Sequence, residues 1–349
     1  MSPGITATLT AASLLAATAG GPGLDRSTIT EAMNELTSGG GAHSVQVRVS
    51  DGPERFTGRS GPVPPNGSFR IGSATKPFIA TVVLQLVGEG KVSLDEPIAR
   101  HLPDLLPYKE ITFRQILQHT SGLFSYTRAL PLNPDGFESI RDKHWEATEL
   151  VAIAAQRPLN FPPGTQHSYS NTNYVVAGML IEKLTGRPYA RAVEQRILKP
   201  LRLKDTYLPG DDEDIRGPHA HAFWTANGKA SDITHINPSV AGASGEIIST
   251  TRDLDTFIVA LSSGKLLRPA QQAELTRTTA VSPEYGLGLR IQQICGTPVW
   301  GHGGGIPGFS TEMFTTPDNR RRLVLSATTA ATSGNPGPAL EKLRNEVFC

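Results

Sequence analysis

The chain has 349 residues, 38% of them hydrophobic and 19% charged, enough for one large or two ordinary domains with buried cores, which excludes disorder as the main state. Its 33 Lys and Arg against 32 Asp and Glu leave a net charge of +1, too weak a field to gather nucleic acid or an anionic membrane. The 35 glycines and 27 prolines make about 18% of the chain, below the roughly 25–30% that marks low complexity.

Residues 1–24 carry no charge, hold the run Ala11-Ala12-Ser13-Leu14-Leu15-Ala16, and reach Ala17-Thr18-Ala19, an A-x-A cleavage pattern. This reads as a signal peptide and implies a secreted or extracytoplasmic protein. The basic n-region is missing, so a disordered Ala-rich leader on a cytoplasmic chain is the alternative. No other segment has the ~20 apolar residues that span a bilayer.

From Ser27 to Thr37 the apolar positions Ile29, Met33 and Leu36 predict a helix, stopped by Gly39-Gly40-Gly41. Ser44 to Val49 alternates and runs into Asp51-Gly52, a strand entering a hairpin. Helical periodicity then covers Phe78 to Val87, Thr148 to Ala155, and Asn173 to the stop at Gly186. Thr250 and Asp253 form a capping-box pattern ahead of Leu254, Phe257, Ile258 and Leu261. Strands return at Pro298–Trp300, Phe309–Thr315 and Leu323–Ala327, with turns at Pro307-Gly308 and Asp318-Asn319, and Ala339–Phe348 closes as a helix. The distribution predicts an α/β fold. A sheet is assembled from both chain ends, 25–74 and 276–349, around a mostly helical insertion, 75–275.

There is no G-x-x-x-x-G-K-[ST], no H-E-x-x-H and no G-x-S-x-G, which removes phosphate-loop, zincin and α/β-hydrolase readings. Gly303 to Gly308 matches G-x-G-x-x-G, but a strand follows it where a dinucleotide fold needs a helix. His219-Ala220-His221 offers two metal ligands with no third at recognisable spacing, and reads instead as a polar loop with Pro218. No metal or cofactor is expected.

Ile71-Gly72-Ser73-Ala74-Thr75-Lys76-Pro77 directly precedes a periodic helix. Pro77 is tolerated only near a first turn, so Ser73 belongs at the helix N-terminus with Lys76 on its face. A buried amine there can lose its charge and take the serine proton, making one turn both nucleophile and base. Taken alone, S-x-x-K arises often by chance and reads as an N-cap serine with a solvated lysine. Two further constellations follow in order: Tyr169-Ser170-Asn171 on a loop leading into a helix, and His302-Gly303-Gly304-Gly305 at the end of a strand.

S-x-x-K, Y-x-N and H-x-G in this order and spacing resemble the serine penicillin-recognising family, specifically class C β-lactamases and DD-carboxypeptidases. Supporting segments are Leu117 to Leu123, Tyr285 to Arg290 and Gly301 to Gly305. The resemblance implies a β-lactamase/transpeptidase-like antiparallel sheet flanked by helices. It makes Ser73 the acylated nucleophile, Lys76 its base, Tyr169 the proton relay, and Asn171 the holder of the substrate amide. His302, Gly303 and Gly304 become the opposite wall, and the amides of Ser73 and Gly305 the oxyanion hole. His119 and Ser121 are expected to shape the loop beneath the site.

Arg290 and the pair Cys295 and Cys349 resemble secreted DD-carboxypeptidases in which the arginine receives a terminal carboxylate and the cysteines are joined. The two cysteines by number alone are equally compatible with free thiols. Where such carboxypeptidases read H-T-G-T, this chain has His302-Gly303-Gly304-Gly305, a form shared with esterases of the family. The expected activity is a D-Ala-D-Ala carboxypeptidase acylated by β-lactams. An esterase or transacylase acting on a peptide or small-molecule acyl donor, and a β-lactamase, are the alternatives. A monomer is expected.

Overall fold

The computed structural model describes residues 23–349. The leader expected over 1–24 lies outside the described residues except for Gly23 and Leu24, whose amide donates to Glu54 at 3.3 Å. Asp25 caps α1 (Arg26–Ser38) through the amides of Ser27 and Thr28. A hairpin of β1 (Ala42–Asp51) and β2 (Glu54–Ser60) follows, then β3 (Phe69–Arg70), a 3₁₀ turn at Gly72–Thr75, and α2 (Lys76–Gly88). The middle holds α3 (Phe113–Leu117), α4 (Pro134–Phe137), α5 (Ala147–Ala155), α6 (Asn171–Thr185), α7 (Tyr189–Val193) and α8 (Lys199–Leu201). After them come β4 (Phe223–Ala226), β5 (Lys229–Asp232), β6 (Ile248–Ser249), α9 (Thr251–Ser262) and α10 (Pro269–Leu275). The chain closes with β7 (Arg290–Ile294), β8 (Thr297–Ile306), β9 (Phe309–Thr315), β10 (Arg321–Thr329) and α11 (Gly337–Phe348).

Six strands form one antiparallel sheet in the order β2-β1-β10-β9-β8-β7. The two chain ends meet at its centre, where Val47 faces Leu325 and Val49 faces Leu323. These side chains turn to one face and pack with Ile29, Met33, Leu343 and Phe348 of α1 and α11. Val324 and Met313 turn to the other face and join the core of the helical layer with Leu254, Phe257 and Ile258 of α9. Alternation fixes this register, since a slip of one residue would exchange the two faces. A buried polar tie adds to it: Arg322 on β10 pairs with Asp255 on α9 at 2.7 Å and donates to Ser50 on β1 at 2.9 Å.

Three local features differ from the sequence reading. The strand expected over Pro298–Trp300 continues to Ile306, through glycines that weaken a strand but permit close backbone approach. The hairpin of β4 and β5 was not anticipated, although Asn227 and Gly228 both take positive φ (49° and 72°), the signature of a type I′ turn. Its flanks alternate too weakly to announce strands. Thr250 does cap α9 by accepting from the Asp253 amide at 3.3 Å. The Asp253 carboxylate, however, does not reach back; it accepts from the Asp205 amide at 2.9 Å and from Thr206 at 3.0 Å.

Cys295 and Cys349 are joined, with Cα atoms 5.4 Å apart and a sequence separation of 54. The bridge ties the end of α11 to the two-residue turn, Cys295-Gly296, that links β7 to β8. Closing such a loop restricts the unfolded chain by roughly 4 kcal/mol in the chain-entropy view. Unreduced, denatured protein should therefore titrate no free thiol, and Cys349→Ser should lower the denaturant midpoint. Two reactive thiols in the folded protein would refute the bridge.

Candidate active site

The site begins at a backbone constraint. Gly72 has φ +52°, and a Cβ there would lie 2.8 Å from the backbone of Gly305. A Cβ on Gly304 would lie 1.9 Å from the Ile71 carbonyl oxygen. Glycines on both sides thus let β8 and the 3₁₀ turn press backbone to backbone. Pro77 opens α2 where no helical hydrogen bond is lost. The partly exposed Ser73 sits in the turn, and Lys76, fully buried, is the first residue of α2.

Lys76 Nζ lies 3.0 Å from Ser73 Oγ, 2.7 Å from Asn171 Oδ1 and 2.8 Å from the Ser244 carbonyl oxygen. Burial, reinforced by the charge of Arg290, holds this amine well below the ordinary lysine range. As a neutral amine it has two N–H bonds and one lone pair. With the two donors taken by Asn171 and Ser244, the lone pair faces the serine hydroxyl, the geometry of a general base.

Asn171 opens α6, and the loop before it is held from beneath. His119, at φ +59°, accepts through Nδ1 from the Ser170 amide at 3.2 Å and from Asn173 at 3.1 Å. Ser121 donates to Asn173 at 2.7 Å, and Ser125 accepts from the Asn171 amide at 3.1 Å. His119 and Ser121 are therefore spent on loop geometry and do not face each other as base and nucleophile. The His119 ring lies 4.2 Å from that of Tyr169. The Tyr169 hydroxyl is buried without a hydrogen-bond partner. Burial raises this phenol above the ordinary tyrosine range, against an opposing pull from nearby Ser73 and Arg290.

On the other wall, β7 pairs with β8 only as far as Gly301, so the edge of β8 beyond it is free of a partner strand. Gly305 lines the cleft with Ser73. Gly304 is pressed on the turn, while Gly303 has only the Thr311 carbonyl, 3.7 Å from its Cβ position. The His302 ring is 1% exposed and lies under this wall, with Nε2 2.9 Å from the Tyr285 hydroxyl and Nδ1 against the Gly303 carbonyl. Burial, followed by the Lys76 charge, brings its pKa down to about 3, so the ring is neutral. Arg290 is exposed opposite Gly301, its guanidinium 5.9 Å from the Tyr169 ring centre.

Residues without a sequence signal complete the site. The Ser244 carbonyl is a backbone acceptor that no side-chain pattern could mark. Tyr126 donates to the Val240 carbonyl at 2.7 Å and lies 3.3 Å from Ser244 Oγ, steadying the same segment. Beside Ser73 a cavity of about 190 Å³ is lined by Tyr126, Leu132, Val240, Ile306 and Pro307. His219 bonds the Gly217 carbonyl and His221 faces Asp232 at 3.4 Å. Among the described residues no group of three His, Cys, Asp or Glu is placed to hold a metal, and no helix is long and apolar enough to cross a membrane.

The chain resembles known proteins over nearly all of this architecture. The crystal structure of a D-stereospecific amidohydrolase from Streptomyces sp. superposes with a TM-score of 0.84 at 40% identity, over 91% of this chain and 98% of that one. Unguisins hydrolase ungD' of Aspergillus campestris is 29% identical over 85% of this chain. Penicillin-binding protein 4* of Bacillus subtilis is 27% identical over 75% of it. The chain spans about 60% of the length of these two curated relatives. The Beta-lactamase family profile matches residues 26–346, and the chain belongs to this family, within the penicillin-recognising group.

Proposed function

We propose that the protein hydrolyses amide bonds on the carbonyl side of D-configured residues through an acyl-enzyme at Ser73. The observation that carries this reading is the buried Lys76 amine, with two acceptors on its N–H bonds and its lone pair toward Ser73. Lys76 takes the hydroxyl proton as Oγ bonds to the substrate carbonyl carbon. The amides of Ser73 and Gly305 receive the oxyanion. As the C–N bond breaks, the leaving amine takes a proton through Tyr169, whose hydroxyl lies beside Ser73. Water then retraces the path and frees Ser73. The apolar lining of the cavity beside Ser73 suits a side chain of the acyl residue, and the likeness to a D-stereospecific amidohydrolase supports the choice of hand.

Arg290 favours a narrower form of this reading, carboxypeptidase action on peptides ending in D-Ala-D-Ala. An exposed guanidinium beside Tyr169 can hold a terminal carboxylate, a charged hydrogen bond worth about 1.5–3 kcal/mol. β-Lactams fall within the same proposal as acylating substrates. Export to an oxidising compartment also belongs to it, supported by the Cys295–Cys349 bridge.

A β-lactam or activated ester should add its acyl mass to the peptide containing Ser73, and Ser73→Ala should abolish the adduct in mass spectrometry. Adduct on Ser121, or none from any such reagent, would sink the mechanism. Hydrolysis of apolar amino-acid amides should favour the D over the L enantiomer.

The pH dependence has a defined sign. Lys76 is inactive as a base while protonated, so acylation should rise with pH through its lowered midpoint and level off below the ordinary lysine value of about 10.4. A rate still rising tenfold per pH unit at that value would mean that Lys76 is not the base.

Arg290→Ala should lower kcat/KM on a D-Ala-D-Ala peptide at least about tenfold, or ~1.4 kcal/mol, while leaving a neutral ester nearly unchanged. Gly303→Thr, for which the wall has room, should raise the peptide rate by adding a hydroxyl. Equal effects on peptide and ester would exclude the carboxypeptidase form and favour the esterase or transacylase.

A further inference from the structure

The segment Ala241–Ile247 crosses the site as a strap with two different sides. On its front, the Ser244 carbonyl receives Lys76 at 2.8 Å. The Ile247 amide donates to Thr75 Oγ1 at 3.2 Å, and the Ile247 carbonyl accepts from the Ile71 amide at 2.9 Å. Glu246 reaches the other way. Its carboxyl, 2% exposed, accepts from the Tyr189 hydroxyl of α7 and from the Gly210 amide at 3.2 Å.

Behind Glu246 lies a cavity of about 340 Å³, edged also by Trp145, Glu182, Tyr189, Asp211 and Gly242. Packing is therefore incomplete on this side of the strap, and the bonds from Glu246 hold what side-chain contact does not. The groups around it are Tyr189 on α7, Glu182 on α6 and Asp211, which pairs with His144 at 2.6 Å. No Lys or Arg among the described residues forms an ion pair with Glu246. Burial, with the like charges of Asp211 and Glu182, pushes it up to about 7. A carboxyl in so unfavourable a place is better explained by its two bonds than by solvation.

We propose that Glu246 is a positioning residue: through Tyr189 and the Gly210 amide it fixes the strap, keeping the Ser244 carbonyl on the Lys76 amine and its lone pair on Ser73. The effect on rate rests on the acyl-enzyme reading above, whereas the state of Lys76 is readable without substrate.

The test compares Glu246→Ala, Glu246→Gln and Tyr189→Phe with the wild type in the full chain. One readout is the ¹³Cε lysine NMR resonance of Lys76, assigned by its loss in Lys76→Arg and followed against pH. The other is the pre-steady-state acylation rate with an activated ester. Glu246→Ala should shift the Lys76 midpoint by at least about half a pH unit and slow acylation at least tenfold at unchanged ester affinity. Glu246→Gln, which keeps an acceptor for Gly210 and a polar partner for Tyr189, should restore both to within about threefold. Tyr189→Phe should fall between them, and if Glu246→Ala does not fold, the Tyr189→Phe and Glu246→Gln pair carries the same comparison. An unmoved Lys76 resonance in folded Glu246→Ala, Gln no better than Ala, or an unmoved resonance in Tyr189→Phe would overturn the proposal. Should no protein be acylated, the acyl-enzyme reading falls while the Lys76 resonance still decides this one.

Discussion

The Lys76 amine, buried from water and surrounded by three oxygens, is the constraint on which the rest of the site depends. An ammonium group taken out of water is costly unless every proton finds an acceptor, so burial favours the neutral amine, whose lone pair is then free to take a proton. Those oxygens come from three places far apart in sequence: the 3₁₀ turn before α2, the first residue of α6, and the strap before β6. Each must be held to within a fraction of an ångström for the lone pair to meet Ser73. That requirement accounts for the density of side-chain to backbone bonds around His119, Ser125 and Tyr126.

The second wall is set by backbone contact. Glycine in a strand forfeits side-chain packing, yet β8 carries Gly301, Gly303, Gly304 and Gly305 in ten residues. At Gly301 a Cβ would lie 1.9 Å from the Met313 carbonyl oxygen, and at Gly304 the same distance from that of Ile71. Pairing with β9 along this whole stretch supplies the rigidity that the side chains do not. The sheet is in turn joined to the helical layer by Arg322 with Asp255. Within that layer Phe78 of α2 stacks on Phe257 of α9 with ring centres 3.5 Å apart. Ser73 and the β8 wall are thereby fixed through one continuous core.

Size does not locate this chemistry. A cleft of about 690 Å³ lies around Arg191, Lys199, Arg202, Tyr207 and Arg216, but no serine lines it. The cavity at Ser73 is about 190 Å³ and is flanked by the groups that can form and stabilise an acyl-enzyme. Convergence of one hydroxyl, one perturbed amine and an open strand edge is the more informative feature. Proteins similar to this chain carry names as different as amidohydrolase and penicillin-binding protein.

Much was legible in the residues alone because it depends on local physics. Alternation from Ser44 to Val49, the apolar stripe of α1, the Pro77 that opens α2 and the Gly186 that stops α6 are short-range signals, and the structure holds an element at each. Ser73 and Lys76 are three apart, so one turn brings them together in any fold that forms it. The partners of Lys76 across the chain were another matter. Asn171 was visible only through a resemblance, and the Ser244 carbonyl not at all, because a backbone oxygen has no residue type. Two things depended on tertiary placement: that His302 lies under its wall, and that the glycines of β8 continue a strand. Long-range packing decides which face of a ring is buried and which backbones touch, and neither is encoded in the spacing of residues along one segment.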